Sequence, residues 1–232
     1  MNRFTLSLTA AALWLAPFSP AAPINATDAG LYDAVGTHTP AIDNYLTGVL
    51  GGIQSRSFFL FDLAGIAGGS ISGATLTLSN RDTTFQGLTI PGTGGSPFSL
   101  SLFDVTSTIA DVIAGANGLT VFADLGAGTL LGTLAIPSNA PGNIVIPLNA
   151  AGLAYLNGRA GGSVILGLSL AAPGATDQFI FFNEGNAAEF ADSTRLLDVT
   201  TTTPGATAAP EPATCTLMLG ALAGLVLLKR SR

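Results

Sequence analysis

Short segments that alternate between apolar and polar residues recur through the middle of the chain. In residues 74–79 every second residue is apolar, beginning with Ala74, and residues 98–102 repeat the pattern from Phe98. Alternation with a period of two gives a half-buried β-strand its apolar face. Apolar runs bounded by Gly, Pro, Asn or Asp predict further strands at residues 56–63, 119–125, 129–136, 143–148, 163–171, 178–182 and 195–200.

Two segments between these predicted strands carry helix signals instead. Residues 107–114 begin with a hydroxyl residue suited to an N-cap, Ser107, and Asp111 falls in the first turn. Residues 149–159 begin with Asn149, another N-cap residue, and end before Gly161. Nine or ten short strands with one or two short helices predict an all-β, jelly-roll-like β-sandwich over residues 22–199.

The N-terminus has the three parts of a secretory signal peptide. Arg3 supplies a positive charge, residues 4–15 are apolar, and Ser19-Pro20-Ala21 offers the small residues that a signal peptidase reads. We therefore expect a signal peptide at residues 1–21 and an exported mature chain. The alternative is an uncleaved anchor, for which the apolar run is short.

The C-terminus combines three features in a fixed order. Pro210-Glu211-Pro212 is followed by the uncharged residues 213–228, whose helix would be about 24 Å long. The third feature is a group of basic residues after this helix. Basic residues should stay in the cytoplasm, so the helix would act as a membrane anchor. The small, polar residues 200–209 predict a linker. The anchor residues are Ala213, Leu217, Leu219, Leu222, Leu225 and Leu228, and the basic end is Lys229, Arg230 and Arg232.

Residues 210–232 resemble the PEP-CTERM sorting domain, which is also called the ice-binding protein C-terminal domain. The resemblance lies in the Pro-Glu-Pro motif, the apolar helix and the terminal arginines; Cys215 stands where many members carry an aromatic or aliphatic residue. It implies an exosortase as partner, which cuts near the motif and releases the protein from the inner membrane to the cell surface or beyond. Hosts of this family typically make exopolysaccharide. The alternative is a plain single-pass anchor behind a chance Pro-Glu-Pro.

Charge and composition exclude several classes of function. Thirteen of the 14 acidic residues but four of the eight Lys and Arg residues lie within residues 22–209, a net charge of about −9. Nucleic acid is therefore excluded as a partner, since phosphate backbones bind Lys and Arg. His38 is the sole His and Cys215 the sole Cys, so zinc sites rich in His or Cys are excluded as well. We expect no cofactor and no metal; Asp43, Asn44 and Asp177 are candidate calcium ligands that meet no spacing rule.

The middle of the chain has a second resemblance, to DNRLRE-type domains. It rests on residues 56–63 and 71–78 at its opening, and on residues 181–184 and 195–199 at its close. These domains are jelly-roll sandwiches akin to carbohydrate-binding modules. Under this resemblance Glu184 and Arg195 would pair across neighbouring strands. Arg56 heads the apolar strand at residues 56–63, and Arg195 heads the last strand. The three residues are candidates for a structural ion pair.

No catalytic constellation stands out. Asp62, Asp104, Asp124, Glu184 and Asp198 lie near predicted strand ends, but their spacing shows no pair for glycoside hydrolysis. We therefore expect a non-enzymatic surface or extracellular-matrix protein, associated with exopolysaccharide. The alternative is a carbohydrate-binding module, weakened because the one Trp, Trp14, falls in the signal peptide. A carboxylate-dependent glycosidase or lyase is the least favoured reading.

Overall fold

The computed structural model describes residues 22–40, 44–66, 69–80, 83–85, 88–90, 93–94, 97–137, 142–172, 178–182 and 194–202. These residues form mostly antiparallel strands with few helices. The strands are β1 (Ala22–Asp33), β2 (Tyr45–Leu50), β3 (Ile53–Asp62), β4 (Ser70–Leu78), β5 (Thr83–Phe85), β6 (Leu88–Ile90), β7 (Thr93–Gly94), β8 (Phe98–Asp104), β9 (Leu130–Ile136), β10 (Ile144–Pro147), β11 (Ser163–Leu170), β12 (Gln178–Phe182) and β13 (Arg195–Thr202). The helices are α1 (Ile109–Ala114), α2 (Gly118–Asp124) and α3 (Ala150–Asn157), and residues 64–66 form a 3-10 turn.

The main strands form a nearly closed sandwich in the order β10-β4-β13-β1-β3-β11-β8-β9. The first layer contains β10, β4 and β13, and the second contains β3, β11, β8 and β9. Strand β1 belongs to both layers, because residues 22–25 pair with β13 and residues 26–33 pair with β3. A bulge lies between Ala26 and Asp28. A bridge between Gly132 and Leu148 brings the two ends of this order together. Strands β2, β12 and β7 extend the second layer beyond β3. The predicted all-β sandwich is confirmed at this level.

The main core lies between the two layers. It is built by alternate residues of facing strands, among them Phe59 and Phe61 on β3 and Leu76 and Leu78 on β4, all fully buried. The alternation in the sequence positions these side chains, since a strand turns every second residue to the same face. Burial of this apolar surface is the main stabilising term of the sandwich.

A second, smaller cluster covers the outer face of β3 and β11. Here Tyr32, Phe58 and Leu60 pack against residues of α1 and α2. Strand β3 is thus buried on both faces, which explains why its apolar residues run on without a break instead of alternating. This cluster is called the outer layer below.

The structure corrects one predicted strand. Residues 119–125 read as a strand because they hold β-branched and aromatic residues, but residues 118–124 form α2. Val121 and Leu125 are four residues apart and both are buried in the outer layer, as one face of a helix requires. Packing of α2 against β3 and β11 therefore outweighed the preference of the local sequence for a strand.

The other two helices agree with the sequence. Thr108 is the N-cap of α1 and accepts a hydrogen bond from the Asp111 amide, while Asn149 caps α3 by accepting from the Gly152 amide. Strands β1 and β2 were not predicted. The last strand runs to Thr202, three residues into the segment predicted as a linker, because residues 200–202 still pair with β4.

Candidate functional site

Most residues predicted to carry function lie outside the described residues. This holds for Pro210, Glu211 and Pro212, for the anchor, for the basic end and for Glu184. Within the described residues, no helix has both the length and the hydropathy to cross a membrane. The sorting function therefore stays a prediction.

Arg56 and Arg195 lie in different parts of the sandwich. The Nη1 of Arg56 donates to the carbonyls of Phe122, at 2.7 Å, and Ala123, at 3.0 Å. Its guanidinium lies 4.3 Å from the centre of the Phe122 ring. Arg195 is buried on β13, on the side of Leu197 and Val199 that faces the main core. The structure does not bring the two arginines together, and the pairing of Glu184 with Arg195 stays a prediction.

Arg56 instead stabilises the C-terminus of α2. Cations are favourable there because the last carbonyls of a helix lack partners within it. Gly126 leaves room for this contact, since a Cβ atom at that position would lie 2.4 Å from the Arg56 Cζ. Burial lowers the pKa of Arg56 from its ordinary value. Sequence reasoning missed this role because it read α2 as a strand.

Four of the carboxylates considered for acid–base catalysis accept hydrogen bonds from the protein itself. Asp124 accepts hydrogen bonds from the amides of Thr106 and Ser107, at 2.9 and 2.7 Å. Asp104 accepts from the Thr129 amide at 2.6 Å, and Asp62 accepts from the Ala64 amide at 2.9 Å. The Thr77 hydroxyl donates to Asp198 at 3.4 Å. The Asp62 contact stabilises a turn, as short polar side chains commonly do, whereas the other three carboxylates join segments distant in the sequence.

A polar depression lies where β1 ends. The Oδ1 atom of Asp33 accepts hydrogen bonds from the amides of Val35, at 3.0 Å, and Thr37, at 2.7 Å. The Asp33 amide in turn donates to the Thr37 carbonyl at 3.1 Å. This turn folds the chain back, so that His38 lies beside Leu31, and its ring nitrogen Nδ1 is 2.9 Å from the Leu31 carbonyl. A carbonyl can only accept, so Nδ1 carries the proton.

Aromatic contacts hold the His38 ring in place. It stacks on Tyr32 with 4.6 Å between ring centres and meets the edge of Phe58 at 5.5 Å. The Tyr32 hydroxyl donates to the Val112 carbonyl at 2.6 Å, which ties the stack to α1. A Cβ atom at residue 30 would lie 2.8 Å from the His38 Cε1, so glycine is needed there. Burial raises the pKa of Tyr32, a neighbouring Asp111 raises it further, and a backbone hydrogen bond from Gly115 opposes both.

The depression has a volume of about 180 Å³. We call it the His38 depression, and its lining is Leu31, Asp33, Thr37, His38, Thr39 and Asn44. Five of these six side chains can donate or accept hydrogen bonds. Asn44, proposed above as a calcium ligand, lies here, whereas Asp43 and Asp177 fall outside the described residues. In the described part of the chain, no three His, Cys, Asp or Glu residues are grouped as metal ligands would be.

The His38 depression and the ends of the described domain lie at opposite ends of β1. Residue 22 begins β1 and pairs with Val199, and β13 continues beyond that pair to Thr202. The depression forms after Asp33, where β1 ends. Twelve residues of strand span on the order of 35 Å. The entry and exit of the domain therefore share one end of the sandwich, and the depression lies towards the other.

Comparison with known proteins identifies no family. No family model matches the chain, and no curated protein matches it. One similar solved structure is the N-terminal endo-1,4-β-D-xylanase 10B of Clostridium thermocellum, with its CBM22-1 and GH10 modules in complex with xylohexaose. The chains are 13% identical, and the match covers 84% of this chain and 30% of the xylanase chain with a TM-score of 0.27. A similarity this weak carries no argument about activity.

Proposed function

We propose that the chain is an exported, non-enzymatic protein that displays a jelly-roll-type β-sandwich outside the cell. Its signal peptide directs export, and its residues 210–232 act as the sorting segment for an exosortase-type enzyme. The protein passes from the inner membrane to the cell surface or a polysaccharide matrix. The sequence features at the two ends are the basis of this proposal.

The position of the two ends of the domain supports display of the sandwich outside the cell. Residue 22 and Thr202 lie at the same end of the sandwich, so both chain ends leave the domain on one side. A tail attached after Thr202 would hold that side towards the membrane and leave the opposite end exposed. The His38 depression lies at this exposed end, where a partner outside the cell can reach it.

A carbohydrate-binding module is the second candidate function. The observation that favours it is the lining of the His38 depression, whose residues carry hydroxyl, amide, carboxylate and imidazole groups beside the apolar Leu31. Ligand sites commonly combine a concave shape with a few such groups. The hydrogen bonds that Asp62, Asp104, Asp124 and Asp198 accept within the protein favour binding over catalysis.

The experiment that tests the sorting proposal is intact mass measurement combined with cell fractionation in the native host. The test variant replaces Pro210, Glu211 and Pro212 by Ala together, and the control variant is Pro204→Ala in the linker. We expect the wild type and the control to lose the segment after Pro212 and leave the membrane, whereas the test variant stays there at full length. If all three proteins keep residues 213–232 in the membrane, the segment is only an anchor and the proposal is wrong.

A further inference from the structure

We infer that the His38 depression binds a single neutral sugar ring, such as a terminal or branching residue of an extracellular polysaccharide. The biological setting rests on the proposed export, because such ligands lie outside the cell. The binding itself does not depend on the sorting segment, so the two proposals can fail separately.

The hydrogen-bonding groups of the depression complement sugar hydroxyls. Thr37 and Thr39 offer donors as well as acceptors, which suits hydroxyl groups that do both. Asp33 uses its Oδ1 atom for two backbone amides, and no hydrogen bond to its Oδ2 is recorded among the described residues. In the neutral His38 ring the proton is on Nδ1, so Nε2 is an acceptor. Leu31 supplies an apolar wall for the C–H groups of the ring.

The size of the depression favours one ring over a long chain. Pockets that enclose drug-sized ligands have volumes of roughly 300–1,000 Å³. At about 180 Å³ the His38 depression is smaller, so it suits a single ring. We therefore expect recognition of a chain end or side branch, with the rest of the polysaccharide outside.

The charge of the domain selects a neutral ligand. Residues 22–209 carry a net charge of about −9, and Asp33 lies in the lining itself. A uronate or a sugar phosphate would meet repulsion both from this carboxylate and from the field of the whole domain. Neutral sugar hydroxyls can instead donate to Asp33.

The walls of the depression are already ordered by contacts within the protein. The Asp33 turn holds Thr37, the Leu31 carbonyl holds Nδ1 of His38, and Tyr32 stacks on the imidazole ring. Binding would not need to order this turn or the His38 ring, which lowers its entropic cost. This matters for a small ligand that offers few contacts.

The single histidine makes the test direct. NMR of the ¹⁵N-labelled mature chain gives one imidazole spin system, that of His38, which reports on the depression without mutation. The probes are glucose, galactose, mannose and rhamnose with their neutral hexasaccharides, and a hexagalacturonate as the charged comparison. We expect a neutral probe to shift the His38 resonances and the amides of Leu31 and Thr37, with a roughly millimolar Kd.

Three variants locate the binding. Thr39→Val removes an exposed hydroxyl from the lining and should weaken binding about tenfold, as loss of one hydrogen bond does. Thr133→Val makes the same change on the exposed face of β9 and should leave the Kd unchanged. Asp33→Asn keeps an oxygen for the turn but removes the charge, so it should reduce the discrimination against hexagalacturonate.

Two results would overturn the inference. The first is that no neutral probe shifts the His38 resonances at about 20-fold above the expected Kd. The second is that a probe binds but Thr39→Val and Thr133→Val affect it equally, which would put the site elsewhere. In either case the sorting proposal would be untouched, because its readout is the mass and location of the chain.

Discussion

The two faces of β3 pack against different partners. Phe59 and Phe61 point into the main core, where the facing layer supplies Leu76 and Leu78. Phe58 and Leu60 point into the outer layer, alongside Tyr32 and the helices α1 and α2. The main core lies between two layers of strands and also takes in the hydroxyl of Tyr45, whereas the outer layer lies between strands and helices and adjoins the imidazole of His38 and the guanidinium of Arg56.

Backbone carbonyls accept hydrogen bonds from two polar groups of the outer layer, whereas the Nε atom of Arg56 is buried with no hydrogen-bond partner among the described residues. Tyr32 donates to the Val112 carbonyl of α1, and Arg56 donates to carbonyls near the end of α2. A buried polar group is costly unless it is hydrogen-bonded, and helix termini offer acceptors that strand interiors have already used. The two clusters therefore have different roles. Burial in the main core stabilises the sandwich, whereas the outer layer shapes the surface on which the His38 depression forms.

The largest expected effect comes from the main core. Phe59→Ala should lower the free energy of unfolding by about 3–5 kcal/mol, because it removes a fully buried ring and leaves a cavity. Urea titration of the mature domain measures the change, and Val145→Ala on the exposed face of β10 is the control. A loss below about 1 kcal/mol would mean that the main core does not dominate stability.

Arg56→Met should cost about 2 kcal/mol in the outer layer. The variant keeps an apolar stem but loses two charge-assisted hydrogen bonds to the carbonyls of Phe122 and Ala123. Arg159→Met is the matched control, since Arg159 also lies over a ring, that of Tyr155 at 4.0 Å, but is exposed. Equal losses in the two variants would contradict a specific role for Arg56 at α2.

Unfolding at alkaline pH tests whether the tyrosines of both regions are buried. Burial raises the pKa of Tyr45 well above its usual range, although Arg195 opposes this, and burial also raises the pKa of Tyr32 and Tyr155. Above about pH 10 the unfolded tyrosines lose protons while the folded ones keep them, so the free energy of unfolding must fall as pH rises. For Tyr45 alone the slope is roughly 1.4 kcal/mol per pH unit.

Absorbance at the tyrosinate band, followed together with circular dichroism, measures this effect. The three tyrosines are the only ones in the chain, and Trp14 lies in the predicted signal peptide, so the mature domain gives a simple spectrum. We expect tyrosine ionisation to coincide with unfolding. Ionisation of all three at ordinary pH values in a folded domain would contradict their burial.

The smallest expected effect is that of Tyr32→Phe. It deletes the hydroxyl that donates to the Val112 carbonyl and should cost about 1 kcal/mol while leaving the ring stacked on His38. Thermal unfolding measures the cost, and the His38 imidazole resonances report on the stack. Large shifts of these resonances would show that the hydroxyl, and not only the ring, positions His38.

Parts of this organisation were visible in the sequence. Alternation predicted β4 and β8, and the N-cap residues Thr108 and Asn149 fall inside the segments predicted as helices. The helix α2 was not predicted, because its local composition favours a strand and only the neighbouring apolar surface of β3 and β11 makes a helix better. The contact of Arg56 with the carbonyls of Phe122 and Ala123 was missed for the same reason, since these acceptors belong to that helix.

The amino-acid pattern by itself determined the all-β class and most of the strands, because alternation and turn residues act over a few neighbouring positions. Tertiary structure alone decided that β3 is buried on both faces and that Arg56 caps α2. It also decided that Leu31, Asp33, His38 and Asn44 line one depression at the end of the domain remote from residue 22 and Thr202. These contacts depend on a turn and on packing between elements far apart in the chain, which no local pattern encodes.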